Sequence, residues 1–321
     1  MATQIAAPQP PETLIQAVRF FADHDTCQSF LVALRWPDGN VACPTCGSME
    51  VTYLSDYRRW KCRAKHPRNQ FSIKVGTIFE DSPIGLDKWL PAVWMIANDK
   101  NGVSSYEVAR ALDVTQKTAW FMLHRIRLAM QDGSLTKLRG RVEADETYIG
   151  GKLKNMHKDR AKKLVSGAKT GGYRSKMIVM GLLERGGRIR TQVIADTSKQ
   201  TIHAVVADNV EAGAELMTDA NASYGGLSAK FLHQFVDHVD EYVRGHIHTN
   251  GIENFWSLLK RALRGTYVSV EPFHLHRYVE EEAFRYNERK DVDGGRFVKV
   301  LRTIVGRRLT YKGLTGALAT T

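Results

Sequence analysis

Residues 141–152, RVEADETYIGGK, crowd Glu143, Asp145 and Glu146 into a run whose Val142, Thr147, Tyr148 and Ile149 otherwise favour a pleated strand. Strand alternation puts Glu143 and Asp145 on one side and Glu146 on the other, so only part of the cluster can serve one site. Two readings stand at this point: carboxylates for a hard divalent cation, or charges that stop an edge strand from pairing with another chain. Further acids lie downstream. ELMTDANASYGG closes a short apolar strand on Asp219, at the carboxyl end where the ligand-facing residues of α/β sheets collect. HTNGIENFWSLLKRALRG reads as a helix with Ile252, Phe255, Trp256, Leu259 and Leu263 on one stripe and Glu253, Ser257, Lys260 and Arg264 opposite. Glu253 and Lys260 stand two turns apart and project alike, and Asn250 precedes Glu253 by about one turn.

A second donor set is separate in sequence. CPTCGS supplies Cys43 and Cys46, and WKCRAKHPRNQF supplies Cys62 and His66, two short-spaced pairs across a hairpin-sized gap. Tetrahedral zinc takes such a Cys3His set, and a ribbon this small draws much of its folding energy from the metal. The alternative is unrelated thiols beside a plain loop. Cys27 sits in an amphipathic stretch, where a small buried hydrophobe is expected.

The elements that must position these groups follow from the patterning. Residues 1–40 form a helical segment ending at the turn PDGN, 41–80 the cysteine-bearing ribbon, and 81–135 a helical region. Within the latter, a Ser-capped helix with Glu107, then ALDVTQ, then a helix from about Thr115 suit a helix-turn-helix, or else a bare helical hairpin. Gln116, Lys117 and Trp120 fall early in the second helix, where groove-reading residues lie. From 136 to 290, VEADETYI, SKMIVMGLLE and IRTQVIAD read as strands, SKQTIHAVVADNV as a helix, and AELMTDA and QFVDHV as strands, which makes a mixed α/β sheet; 291–321 reads as a tail.

The chain of 321 residues is long enough for two or three domains, and 43% hydrophobic with 25% charged residues is the composition of a soluble globular protein. No apolar run approaches a membrane span, and MATQIAAPQPPETL lacks the order of a secretory signal, so a cytoplasmic location without membrane contact is expected. The formal charge of +12 favours a polyanionic partner. Nine Lys or Arg against one Asp between Gly150 and Lys176 make a basic loop, either a solvated insertion or a nucleic-acid contact.

In order, the ribbon, the helical segment, VEADETYIGGK, TDANASYGGL, HTNGIENFWSLLKRALRGTY, FRYNERK and RRLTYKGL resemble the bacterial insertion-sequence DDE-type transposases with an N-terminal zinc ribbon and a ribonuclease-H-like catalytic domain. The likeness runs from about Cys43 to Leu314. It implies that Asp145, Asp219 and Glu253 are the catalytic acids and that Lys260 contacts the DNA end. Asn250 is the alternative third ligand, because related enzymes differ at that position. His66 departs from a four-cysteine ribbon, which zinc accepts. Two magnesium ions, replaceable by manganese, would be held with Asp145 bridging both and Asp219 and Glu253 completing one each. The implied function is cleavage of element ends and their joining to target DNA. A DNA-binding protein without catalysis, or a metal-dependent nuclease that stops at hydrolysis, are the alternatives. Double-stranded DNA is the expected partner, bound by a homodimer or larger assembly at the bacterial nucleoid. Glu143 is expected one layer behind the ligands and Glu146 on the opposite face, structural or paired with a base. His246 and His248 are either positioning residues or an ordinary loop.

Overall fold

The computed structural model describes residues 9–150, 176–236 and 248–316, and the chain divides into two compact units, Met1–Gln131 with Lys290–Thr321, and Asp132–Arg289. In the first unit, the apolar spacing that reads as one helical segment is two helices, α1 (Leu14–Phe21) and α2 (His24–Arg35). Thr13 and Gln16 form a capping box on α1, while the Asp23 carboxylate accepts the Thr26 N–H and restarts the chain as α2. The ribbon is an antiparallel sheet of β1 (Val51–Leu54), β2 (Arg59–Cys62) and β3 (Gln70–Phe71). Three helices follow, α3 (Leu86–Asn98), α4 (Ser105–Leu112) and α5 (Gln116–Met130). Ser104 and Glu107 make a capping box on α4, Asp113 turns the chain at φ 50°, and Thr115 caps α5. Of residues 291–321, read from sequence as a tail, the described part up to 316 packs into this unit. A helix at Asp293–Arg302 seats fully buried Phe297 against Phe21, Phe30 and Trp94, and the following chain accepts the Ile78 N–H at Ile304 O. An apolar stripe of Phe297, Val300 and Leu301 needs such cover.

The second unit comprises β4 (Arg141–Ile149), β5 (Met177–Glu184), β6 (Ile189–Ile194), α6 (Lys199–Asn209), β7 (Glu215–Asp219), β8 (Leu232–Val236), α7 (Asn250–Gly265) and α8 (Leu275–Asn287). The last strand starts earlier than the QFVDHV of the sequence reading. Strand order is β6-β5-β4-β7-β8, with β4, β5 and β6 antiparallel and β7 and β8 parallel to β4, the ribonuclease-H-like mixed sheet. Helices cover both faces. Val142, Ala144, Met180 and Leu182 pack with Ile202, Val205 and Val206 of α6, whereas Val179 and Leu183 pack with Ile252, Phe255 and Leu259 of α7. Alternation therefore sends Glu143 and Asp145 toward α7 and Glu146 toward the α6 side. Pairing of β4 with β7 ends at Glu143↔Met217, so the rest of β4 has no ladder with β7. Among the described residues no helix is long and apolar enough to cross a membrane.

Candidate active site and zinc cluster

The ribbon brings Cys43, Cys46, Cys62 and His66 together, with one ligand atom of each within 4.8 Å of all the others. Cys46 Sγ and Cys62 Sγ are 3.7 Å apart, and Cys43 Sγ lies 3.5 Å from His66 Nε2. A zinc tetrahedron with Zn–S near 2.3 Å requires sulfur atoms ~3.8 Å apart, so the donors are spaced for that ion. Nδ1 of His66 lies 2.8 Å from the Pro67 carbonyl, a partner that turns Nε2 inward. Burial pushes the Cys43 thiol up, but hydrogen bonds from the backbone amides of Cys46 and Thr45 and from the Cys46 and Cys62 thiols together outweigh it and bring it down to about 7, toward the thiolate that metal needs. The cluster supports a structural zinc. Cys27 is fully buried, its Sγ against the Phe21 carbonyl, and burial raises its thiol to about 12, as an inert core residue requires.

In the second unit, β4, the end of β7 and the first turns of α7 enclose a cleft of about 330 Å³ onto which Asp145, Glu146, Asp219, Glu253 and Lys260 all face. Each acid is held differently. The Trp256 indole N–H donates to Asp145 Oδ2 at 2.9 Å, and Gly181, paired across the sheet from Asp145, makes room for that indole: a Cβ there would lie 2.8 Å from the ring. The Asp219 carboxylate accepts the Asn221 N–H at 3.1 Å, which folds the chain back after β7. The buried Thr249 hydroxyl donates to Glu253 Oε1 at 3.0 Å. Asn250 is exposed at the start of α7 and does not face the cleft.

Glu146 departs from expectation. Strand alternation does turn it away from Asp145, yet it borders the same cleft, and its partner is the Tyr224 hydroxyl rather than a basic residue. The reason is the early end of the β4–β7 ladder. Beyond Glu143, side chains from both faces of β4 can reach one notch at the sheet's end.

Electrostatics follow from this crowding. Burial raises Asp145 to about 6, assisted by the charges of Asp219 and Glu253 and opposed by the Trp256 indole and the Glu146 backbone amide. Burial raises Glu146 to about 7, with Asp145 and Asp219 adding to the shift and the Tyr224 hydroxyl opposing it. Tyr224, buried beside Glu146, is held well above the usual phenol range by burial first and by that carboxylate second. The cleft thus gathers four carboxylates, with acidic neighbours adding to the upward shifts of Asp145 and Glu146, and such an all-oxygen donor set suits a hard divalent cation. Glu143 lies behind the cleft, buried, accepting from Arg185 Nε at 2.8 Å and from the Ile252 N–H at 2.9 Å.

The remaining sequence-stretch candidates lie as follows. In the first unit, Gln116 Nε2 donates to the Ser105 hydroxyl at 2.8 Å, Lys117 Nζ rests 5.0 Å from the centroid of the Tyr311 ring, and half-buried Trp120 packs edge-on to His124. His248 contacts Arg185, whereas His246 and the interior of the basic 150–176 loop lie outside the described residues. Sequence reasoning missed Thr249, Trp256, Tyr224 and the cleft position of Glu146. Trp256 was legible only as an apolar-stripe residue, and a glycine inside β5 is the one signal that something bulky lies close to that strand.

Comparison with known proteins agrees with this architecture. Residues 137–287 match the ISXO2-like transposase domain, and residues 22–64 match the transposase zinc-ribbon domain, which takes in α2 and the three zinc-site thiols with His66 just beyond. Over 256 residues the chain is 29% identical to a Halobacterium salinarum protein described as an uncharacterized protein in transposable element ISH50, covering 77% of this chain and 85% of that one. A Cys3His ribbon in the first unit and a transposase domain built on a ribonuclease-H-like sheet in the second place the chain in the family of insertion-sequence transposases that carry an N-terminal zinc ribbon.

Proposed function

We propose that the protein is a DDE-type transposase that cuts the ends of an insertion sequence and joins them to target DNA, with Asp145, Asp219 and Glu253 as its catalytic acids. The observation that carries this reading is their convergence, from β4, the end of β7 and α7, on one cleft that also holds Lys260. These carboxylates would hold magnesium ions, which when bound supply charge neutralisation at the attacking and departing oxygens of a phosphodiester. Glu253 is the third ligand in preference to Asn250, since it faces the cleft and a carboxylate neutralises a cation as an amide does not.

The chain's own groups orient this chemistry. The Trp256 indole fixes the Asp145 carboxylate and the Thr249 hydroxyl fixes that of Glu253. Lys260, a point charge at the cleft, meets a backbone phosphate of the DNA end. In the first step a water oxygen bonds to phosphorus as the bond to the element's 3′ oxygen breaks, and that oxygen leaves as a 3′ hydroxyl. In the second step the hydroxyl oxygen bonds to a target phosphorus and displaces the target's own 3′ oxygen. Bond count is conserved, so neither ATP nor a covalent protein intermediate is required. In the first unit, Gln116, Lys117 and Trp120 serve recognition of the element's double-stranded ends, the α4–α5 pair acting as a helix-turn-helix. Two ends must be processed together, so a dimer or larger assembly on DNA is the working form.

The test is direct. Purified protein with magnesium, a duplex carrying an element end and a plasmid target should give a nicked 3′ end and then a joined product, both lost in Asp219→Asn. Cutting without joining would support a nuclease instead, and end binding without any cutting would support a DNA-binding protein lacking catalysis.

A further inference from the structure

We propose that Glu143 is a positioning residue: its carboxylate pins the first turn of α7 to β4 by accepting the Ile252 N–H, and so sets where the neighbouring Glu253 presents its own carboxylate. The inference rests on Glu253 being one of the catalytic acids.

The first amides of a helix need acceptors from outside it, and α7 gets none from its own cap. Thr249, at the N-cap position, makes no capping bond; its hydroxyl is directed to Glu253 instead. Glu143 Oε2 fills the gap from the adjacent strand, at 2.9 Å from the Ile252 nitrogen, and a carboxylate is the acceptor a helix N-terminus favours most. The approach is close. A Cβ on Gly251 would stand 2.9 Å from Glu143 Oε2 and 2.8 Å from Leu183 Cδ2, so only glycine lets the helix start this near the sheet.

Glu143 is itself clamped. It is 1% exposed, with Oε1 accepting from Arg185 Nε at 2.8 Å, and Arg185 Nη2 donates on to the His248 carbonyl at 2.7 Å. The residues leading into α7 and its first turn are thereby tied to β4, and to Arg185 just beyond β5, through one largely buried ion pair.

A second attachment makes the placement unique. Two positions along β4 from Glu143, on the same face, Asp145 accepts the indole N–H of Trp256, four positions along α7 from Ile252. Two strand residues span ~6.7 Å and four helical residues span ~6 Å, so the two hydrogen bonds fit one helix lying along one strand. A helix held at two points one turn apart can neither slide by a residue nor rotate about its axis. Glu253, between the two pins, is thereby aimed at the cleft.

The test uses the full chain with its zinc. Mn2+ binding is followed by electron paramagnetic resonance, cleavage of an element-end duplex is followed with magnesium, and DNA affinity is measured separately. Glu143→Ala should weaken Mn2+ binding and slow cleavage at saturating DNA by about tenfold or more, the usual cost of losing a group that orients a metal ligand, with DNA affinity kept. Glu143→Gln, whose side-chain carbonyl can still accept the Ile252 N–H, should restore most of both. Unchanged Mn2+ affinity in Glu143→Ala, or a Gln variant as impaired as Ala, would overturn the proposal. If Glu143→Ala does not fold, Gly251→Ala, which displaces the same contact, should weaken Mn2+ binding likewise, and wild-type affinity there overturns it too. Glu253→Gln separates the two layers of the argument: if it binds Mn2+ normally the acid assignment fails, and if it alone loses Mn2+ the positioning role fails.

Discussion

Replacing Glu146 with glutamine should stabilise the metal-free protein at neutral and higher pH. Burial, aided by Asp145 and Asp219, raises this carboxyl from an ordinary 4.5 to about 7, so between those values the folded chain holds a proton that the unfolded chain has released. Stability contributed by the group is therefore fully present below pH 4.5, declines as pH rises toward 7, and stays lost above it. At 1.36 kcal/mol per pH unit that interval is worth up to about 3 kcal/mol, an upper figure because the side chain is only partly buried. Glutamine keeps an acceptor for the Tyr224 hydroxyl and removes the ionisation. Calorimetry of both proteins without added divalent ions, following the transition of the second unit, should show no difference near pH 4.5 and a more stable variant at pH 8, by about 2–3 kcal/mol. Magnesium should raise the wild type toward the variant, since a cation supplies the neutralisation that the mutation makes unnecessary. Equal stability at pH 8 in the absence of metal would refute the reasoning and, with it, the position of Glu146 in the cleft.

Further outcomes are expected. Asp219→Asn and Glu253→Gln should each reduce 3′-end cleavage by about 10³-fold or more, the scale of several kcal/mol of lost charge stabilisation, with DNA binding retained, whereas Asn250→Ala should be mild in a gel-based cleavage assay. Cys62→Ser or His66→Ala should drop zinc from one ion per chain toward none by metal analysis and unfold the ribbon, while Cys27→Ser leaves zinc content unchanged. Lys260→Ala should weaken end binding and lower the log–log salt slope by about 0.9 for the lost phosphate contact, while changes at Gln116, Lys117 or Trp120 should alter preference among sequences in competition binding.

The strands of the second unit were legible as short runs rich in apolar and β-branched residues, and the glycine-bearing turn GGRI separates β5 from β6. Ser104 with Glu107, and Thr115, mark the starts of α4 and α5 in the sequence as in the structure. Glu146 was not legible in the same way. Alternation tells which face a side chain takes, but the cleft exists because the β4–β7 ladder stops at Glu143, and a ladder's length depends on a strand some 70 residues away. The break between α1 and α2 was hidden because Asp23 interrupts the helix without interrupting the apolar spacing. For the helix at Asp293–Arg302, the stripe could be read but not its partner, since Trp94 and Phe30 precede Phe297 by 203 and 267 residues.

The contact between Trp256 and Asp145 also gives the molecule an optical handle. Of six tryptophans, Trp256 alone falls between residues 132 and 289, so its emission reports on the second unit while the other five belong to the first. Its ring lies against Gly181 and its N–H ends on a carboxylate of the acidic cleft. Any cation that draws charge from Asp145 must change the field along that N–H bond, and with it the colour and yield of the fluorescence. Subtracting the spectrum of Trp256→Phe from that of the native chain would turn this one indole into a titration signal for the cleft, readable with neither label nor DNA.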